Sequence, residues 1–552
     1  MIRTKYSCRQ RAAGMRLLCV AIIFGFGCNV VLAQNVGSNE GGTVPQPVPE
    51  FPANNWWNTD ISKAPVDPNS ASYIQFVNNG SPRHLHPDFG GNASYGGAYA
   101  TYGFPYVVVD GVTGSGKSPP PLQTVNCYYS DQCDGVNHTT DTAFPFYPIP
   151  PEATTTPRWI ECGDPGTVDD RSDCDRHLLV IDRDHKYLYE LWNVWYDQAH
   201  SQWYAGSGAF FDMTKNARRP NGWTSADAAG LAIFPGLVRY DEVYNAYGTN
   251  VSSINHAFRV TVRATKGFVY PASHVAGHTS GALPMGARLR LKAGVDISGF
   301  SAPMQKIMKA MKTYGLIVAD NGSDMYISGT YDLNWDNGVL NPAFGALTAN
   351  DFQVIQLGWK PPVYSLAIAP SPVIGGNSAT GTVTLLNAAP AGGAAVALAS
   401  SGTATVPATV QVAAGAKTAN FAITTPAVTS LHNAVITATY SGGIQHLTLT
   451  IEPPVALHAF TINPNIVAPG GTGTGTVTLN EAAPAGGVVV TLQSSDTTIA
   501  TVPASIKVLQ GSTTASFNVT GKATVTTKKV ATIQASYSGV TKNAFFTVQP
   551  GG

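Results

Sequence analysis

Charge is scarce in this 552-residue chain: Asp, Glu, Lys and Arg make up 12% of it, and 33 basic residues balance 33 acidic ones. A chain with no net charge and no basic block has no electrostatic footprint for nucleic acid or for an anionic membrane surface, so neither is expected as a partner. Cysteine is rare, at seven residues. Long apolar runs are absent beyond residue 31, which excludes a membrane span further along the chain. Two catalytic signatures are missing from the N-terminal part as well. It has no G-x-S-x-G elbow, which argues against an ordinary serine esterase. The stretch VTGSGKS at 112–118 lacks the spacer of a phosphate loop and runs into three prolines, so no helix can follow to cradle a phosphate. What abounds instead is glycine (56) and proline (38), the composition of an extracellular β-protein.

Residues 1–33 read as a secretory signal. Lys5, Arg9, Arg11 and Arg16 form a basic start, Leu17 to Val31 is apolar, and Val31-Leu32-Ala33 offers small residues for cleavage near Ala33. The apolar run is shorter than the roughly 20 residues that span a bilayer. A secreted location follows as the expectation. Cys8, Cys19 and Cys28 leave with the signal, and Cys127, Cys133, Cys162 and Cys174 remain. Short loops in an oxidising compartment favour the disulfides Cys127–Cys133 and Cys162–Cys174 over a four-thiolate zinc site, which would want C-x2-C spacing.

An internal repeat organises the C-terminal third. The segment from Gly381 to Gly393 (GTVTLLNAAPAGG) returns from Gly475 to Gly487 (GTVTLNEAAPAGG), ATVPA recurs at Ala404 and Ala500, and Tyr-Ser-Gly recurs at Tyr440 and Tyr537. Between these anchors apolar residues alternate with polar ones, the pattern of half-buried strands in a sandwich. The pair resembles bacterial Ig-like repeats over residues 364–548. All nine tryptophans lie before residue 360, and Lys360-Pro361-Pro362 marks the break. The layout expected is a signal peptide (1–33), a disordered leader (34–50), a β-rich domain with a few helices (51–360) and two Ig-like sandwiches (364–453 and 457–549). The class is mainly β. The two repeats hold nine charged residues and no cysteine or tryptophan, too little for a constellation of convergent catalytic groups.

Chemistry is therefore sought in residues 51–360. Strands are expected over His177–Asp182 and Lys186–Asp197, joined by a hairpin at Arg183-Asp184-His185, and further strands over 255–264, 287–292 and 324–331. A short helix is expected near Ser225–Ala229 and a longer one over Ala302–Tyr314, where Met304, Ile307, Met308 and Met311 share a stripe that suits core packing. Alternation along the strand that holds Glu190 puts Leu188, Glu190, Trp192, Val194 and Tyr196 on one face, a carboxylate among aromatics. Asp227 follows Trp223, and Asp241 follows Arg239 and Tyr240. Paired carboxylates beside stacking aromatics are what glycosidic cleavage requires.

The candidate catalytic residues are thus Glu190, Asp227, Asp241 and His256. The candidate substrate-binding residues are Trp192, Trp223, Tyr240, Arg239 and His274. His84-Leu-His86-Pro-Asp88 and His274-Val-Ala-Gly-His278 have ligand-like spacings, but neither completes a metal signature, so no metal or other cofactor is assigned. A His with a Tyr (His256 or His274, with Tyr240) is an alternative set for β-elimination on a uronate polymer.

The segments FPANNWWNTDIS, HPDFG, TSADAAGLAIFPGLVRYDEV, INHAFRVTV, LPMGARLRLK and YGLIVADNGS resemble a set of uncharacterised secreted bacterial proteins over most of residues 51–345, a resemblance that implies one intact domain and no reaction. The function expected is a secreted carbohydrate-active protein, leaning to a glycoside hydrolase or polysaccharide lyase. Its expected partner is a polysaccharide or cell-surface glycan, and a monomer is expected. The alternatives are a non-catalytic glycan-binding or adhesion protein and a His-ligated metal-dependent enzyme.

Overall fold

The computed structural model describes residues 51–91, 101–111, 119–128, 133–134, 146–156, 158–162, 175–484 and 486–551. The proposed signal and leader, and Cys174, lie outside these. Among the described residues no helix is long and apolar enough to cross a membrane.

Two sheets build the N-terminal domain. The first has six strands in the order His86–Asp88, Tyr326–Ser328, Phe258–Val262, Leu316–Asn321, Arg288–Leu291, Phe352–Val354, with parallel and antiparallel neighbours mixed. Helix Ala302–Thr313 buries Met304, Ile307, Met308 and Met311 in the core of this sheet, the stripe expected from its spacing. The second sheet runs Ser207–Asp212, Tyr187–Trp192, Leu178–Asp182, Tyr106–Val109. Both of its faces are covered. Leu179, Ile181 and Leu188 enter one core, while Leu178, Val180, Tyr189 and Leu191 enter another. A strand buried on both sides carries an unbroken apolar run, as LLVI does here.

The local structure departs from expectation in three places. The strand containing Glu190 ends at Trp192 because Asn193 adopts a left-handed conformation (φ 52°). The alternation therefore does not continue, and Val194 joins the core on the opposite side, with Leu191. Residues 225–229 form turns rather than a helix: the Ser225 hydroxyl takes the Asp227 amide and donates to Leu231 O, a local competitor to helical bonds. His256 precedes its strand, which starts at Phe258.

Cys127 and Cys133 are bonded to each other, and Cys162 is also disulfide-bonded.

Two Ig-like sandwiches follow. The first packs Val363–Ala369, Ser378–Leu385 and Thr418–Thr424 against a five-stranded sheet containing Ala394–Ser401, His432–Tyr440 and Gly443–Glu452. The second repeats this plan with Leu457–Asn463, Thr472–Leu479 and Thr514–Gly521 against Val488–Ser494, Lys529–Tyr537 and Val540–Val548. The repeated GTVTL motif has a shared packing reason. Gly381 lies opposite Phe421 and Gly475 opposite Phe517, and a Cβ on either glycine would stand 2.1 or 2.6 Å from the facing ring.

The first sandwich touches the N-terminal domain. His446 Nε2 lies 3.3 Å from Asp60 Oδ2.

Candidate functional site

The carboxylates singled out in the sequence are buried and partnered by separate groups. Glu190 is fully buried and accepts the amides of Ile233 (3.0 and 2.8 Å) and Phe234 (2.8 Å), holding the entry to the single helical turn Phe234–Gly236. Burial pushes its pKa up to about 7 against the pull of those two amides. Asp227 pairs with Arg259 in a fork (Nε–Oδ2 2.9 Å, Nη2–Oδ1 2.8 Å). Asp241 accepts from Arg239 Nε (3.1 Å) and Thr249 Oγ1 (2.6 Å). His256 is buried with its two ring nitrogens facing Ala257 O (2.9 Å) and Glu242 Oε2 (3.0 Å).

The proposed binding side chains are equally committed. Arg239 spans Asp241 and Glu242 beneath the Phe234 ring. Tyr240 stacks on Tyr244 and meets Trp335 edge-on. His274 Nδ1 reaches Ala228 O, and Trp223 lies under Arg219. Trp192 packs against the core on the Leu188 side of its sheet. None of these nine residues lines any of three cavities among the described residues of the domain. Each buried polar group among them is instead satisfied by its own neighbours.

Another pair of carboxyls does share a cavity. A recess of about 200 Å³ is lined by Asp88, Tyr102, Gly103, Arg158, Glu161 and Tyr331, among others. Asp88 is brought there by strand His86–Asp88, paired in parallel with Tyr326–Ser328. Tyr102 comes from a two-residue strand paired with Gly90–Gly91. Gly103 (φ +129°) lets the backbone press against the opposite wall, where a Cβ would stand 2.8 Å from the Tyr331 amide nitrogen. Glu161 follows the short 3-10 turn Pro151–Thr154 and is fixed by His177: the His177 amide (3.2 Å) and ring Nδ1 (2.7 Å) both reach Glu161 Oε2.

The electrostatics separate the two acids. Burial pushes the Asp88 carboxyl above the usual range, Arg259 pulls it down, Glu161 pushes it up again, and the net shift is upward. Burial would also raise Glu161, but the charge and hydrogen bonds of His177 override it and hold the group low. His177 Nε2 faces Ala226 O (3.3 Å), so both ring nitrogens point at acceptors, and the Glu161 charge lifts the imidazole above its ordinary value despite burial. The two carboxyls are thus displaced in opposite directions, the kind of division on which acid–base chemistry draws.

Sequence reasoning passed over this pair. Asp88 stood only as the tail of the H-x-H-P-D stretch, and Glu161 was not singled out. The legible clue was the single-residue spacing that puts His86 and Asp88 on one strand face. The histidine pairs find no third ligand: among the described residues, no group of three His, Cys, Asp or Glu side chains comes together as a metal site.

No family model matches the chain, and no curated protein matches it. Solved structures similar to it include the "D0-D1 domain of Intimin" (14% identity, 34% of this chain and 98% of that one, TM-score 0.16). Domains 4 and 5 of the S-layer protein SbsC are also similar (16% identity, 34% and 99%, TM-score 0.21), as is the titin fragment I67–I69 (10% identity, 34% and 65%, TM-score 0.20).

Proposed function

We propose that this is a secreted carbohydrate-active protein that cleaves a polysaccharide at the cavity of Asp88 and Glu161. The observation that carries the reading is the pairing of a carboxyl displaced upward with one held low, both lining a single recess flanked by Tyr102 and Tyr331. Asp88 supplies the proton to the leaving glycosidic oxygen. Glu161, kept ionised by His177, serves the anomeric side as base or nucleophile. The disulfides suit an oxidising compartment and hence export. The two Ig-like modules act as spacers or glycan anchors.

Reducing-end release from a polysaccharide panel tests this. Release should vanish in Asp88→Asn and Glu161→Gln while both variants still unfold cooperatively above the assay temperature, and persist in Glu190→Gln. Absence of release by the wild-type protein would overturn it. Ultraviolet absorbance from an unsaturated uronate product would replace hydrolysis by elimination, and retention on glycan without product would leave a binding protein.

A further inference from the structure

We infer that the glycan is anionic, and that a carboxylate or sulfate on a neighbouring sugar seats in a cationic recess adjoining the acid pair. The inference rests on the reading above for its sugar chemistry, but on different residues for its charge.

A second cavity, of about 550 Å³, is lined by Arg83, His84, His86, Arg263, Asp324 and Tyr326 together with smaller residues. Two guanidinium and two imidazole groups face it against a single carboxylate. It adjoins the acid pair through one short strand. His86 belongs to this recess and Asp88 to the other, and alternate residues on the same strand face stand about 7 Å apart. The charge of His86 is felt at Asp88, and the Tyr326 phenol is felt at Tyr102, which flanks Asp88.

The recess is built rather than incidental. Arg263 donates through Nη1 to Val77 O and to Asp324 Oδ2 (both 2.9 Å), and its guanidinium covers the Phe76 ring at 4.2 Å. Asp324 also takes the Arg263 amide (2.9 Å), so that one carboxylate is spent on orienting Arg263. Arg83 is left with Asp324 at 4.0 Å, outside hydrogen-bond range, and among the described residues its buried Nε has no hydrogen-bond partner. The His86 ring packs on Tyr326 at 4.4 Å, and His84 Nδ1 is turned to Gly345 O, which fixes both imidazoles at the rim. Arg83, whose side chain is 40% exposed, therefore offers a guanidinium not committed to a close carboxylate beside two ordered imidazoles. A planar carboxylate or a sulfate oxygen pair engages that guanidinium with charge-assisted bonds, while a neutral hydroxyl pair does so much more weakly.

Calorimetry on the full chain separates the possibilities, with oligogalacturonate against its methyl ester and a carrageenan oligosaccharide against its desulfated form. At least one anionic member should bind about tenfold or more tightly than its neutral partner. Which pair shows the preference identifies carboxylate or sulfate as the anion. The preference should shrink in 0.5 M salt, roughly fivefold above the level at which the screening length is 10 Å, and disappear in Arg83→Gln while Arg83→Lys retains part of it. Equal binding within both pairs, no binding of either anionic probe, or an unchanged preference in Arg83→Gln overturns the inference. Preference without bond cleavage sinks the catalytic reading alone, and cleavage without preference sinks this one alone.

Discussion

Arg259 clasps Asp227 through two parallel hydrogen bonds of 2.9 and 2.8 Å, and both side chains are almost wholly removed from solvent. The same guanidinium reaches Asp320 (2.9 Å) and Ser328 Oγ (2.8 Å), tying a turn to two strands of the six-stranded sheet. Removing one member leaves the other's charge buried alone. Arg259→Leu should therefore cost about 3–5 kcal/mol of stability, read as a lowered denaturant midpoint. Asp227→Asn, which keeps a polar acceptor, should cost less. A stable Arg259→Leu protein would contradict the structural role given to Asp227.

The contribution of Glu190 to stability should be larger in mild acid than at neutrality. Its folded pKa lies near 7, above the ordinary 4.5, because burial disfavours the charged form. The folded state then binds more protons than the unfolded chain between those values, so stability falls as pH rises through that window and is level above it. The slope from this group is at most about 1.4 kcal/mol per pH unit. Glu190→Gln should remove that component of a pH series of unfolding midpoints, and an unchanged slope would refute the assignment.

Asp60 couples the N-terminal domain to the first sandwich. Burial alone would raise its pKa, but the hydrogen bond from His446 and those from Ser62 lower it below 3.8. A depressed carboxylate stabilises above its unfolded pKa and loses that contribution as pH falls through the folded one. With His446 partly exposed, the tie is worth about 1 kcal/mol or less. His446→Ala should speed proteolysis near Lys360-Pro361-Pro362 at neutral pH, whereas wild type should reach that susceptibility only below about pH 4. Equal cleavage of the two proteins at neutral pH would show that the contact does not hold the modules together.

Gly103 tests whether the recess of Asp88 is shaped by its backbone. At φ +129° an alanine is strained, and its Cβ would meet the Tyr331 amide. Gly103→Ala should cost about 1–3 kcal/mol and reduce glycan turnover more than it reduces binding of the anionic probe, since Gly103 lines the recess of Asp88 and not the cationic one. Kinetics and calorimetry on the same preparation check this.

How much was readable in the sequence follows from the range of the forces involved. The sandwiches were legible because the strand period is local: Ser378–Leu385 alternates buried and exposed residues almost throughout. Helix Ala302–Thr313 was legible from its methionine stripe for the same reason. The site was not. A carboxylate among aromatics looks alike whether it lines a cleft or, like Glu190, closes a buried turn, and what separates the two is a pair of amides more than forty positions away. Glu161 was invisible because its meaning depends on His177 and Asp88, one of them beyond a disulfide-bonded cysteine and the other in a distant segment. A single left-handed residue, Asn193, was enough to undo an otherwise sound alternation.

The glycine-against-phenylalanine pairing has a consequence for how the chain reaches its native state. Because both modules use the same pair in the same register, Phe421 is chemically acceptable to Gly475 as well as to Gly381, and Phe421 and Gly475 are not much farther apart along the chain than Gly475 and Phe517. Loop-closure entropy therefore discriminates only weakly against the crossed arrangement. Order of synthesis discriminates strongly, since Gly381 is always available to Phe421 before Gly475 exists. A chain diluted from denaturant loses that advantage, and strand exchange between the two modules becomes its characteristic error.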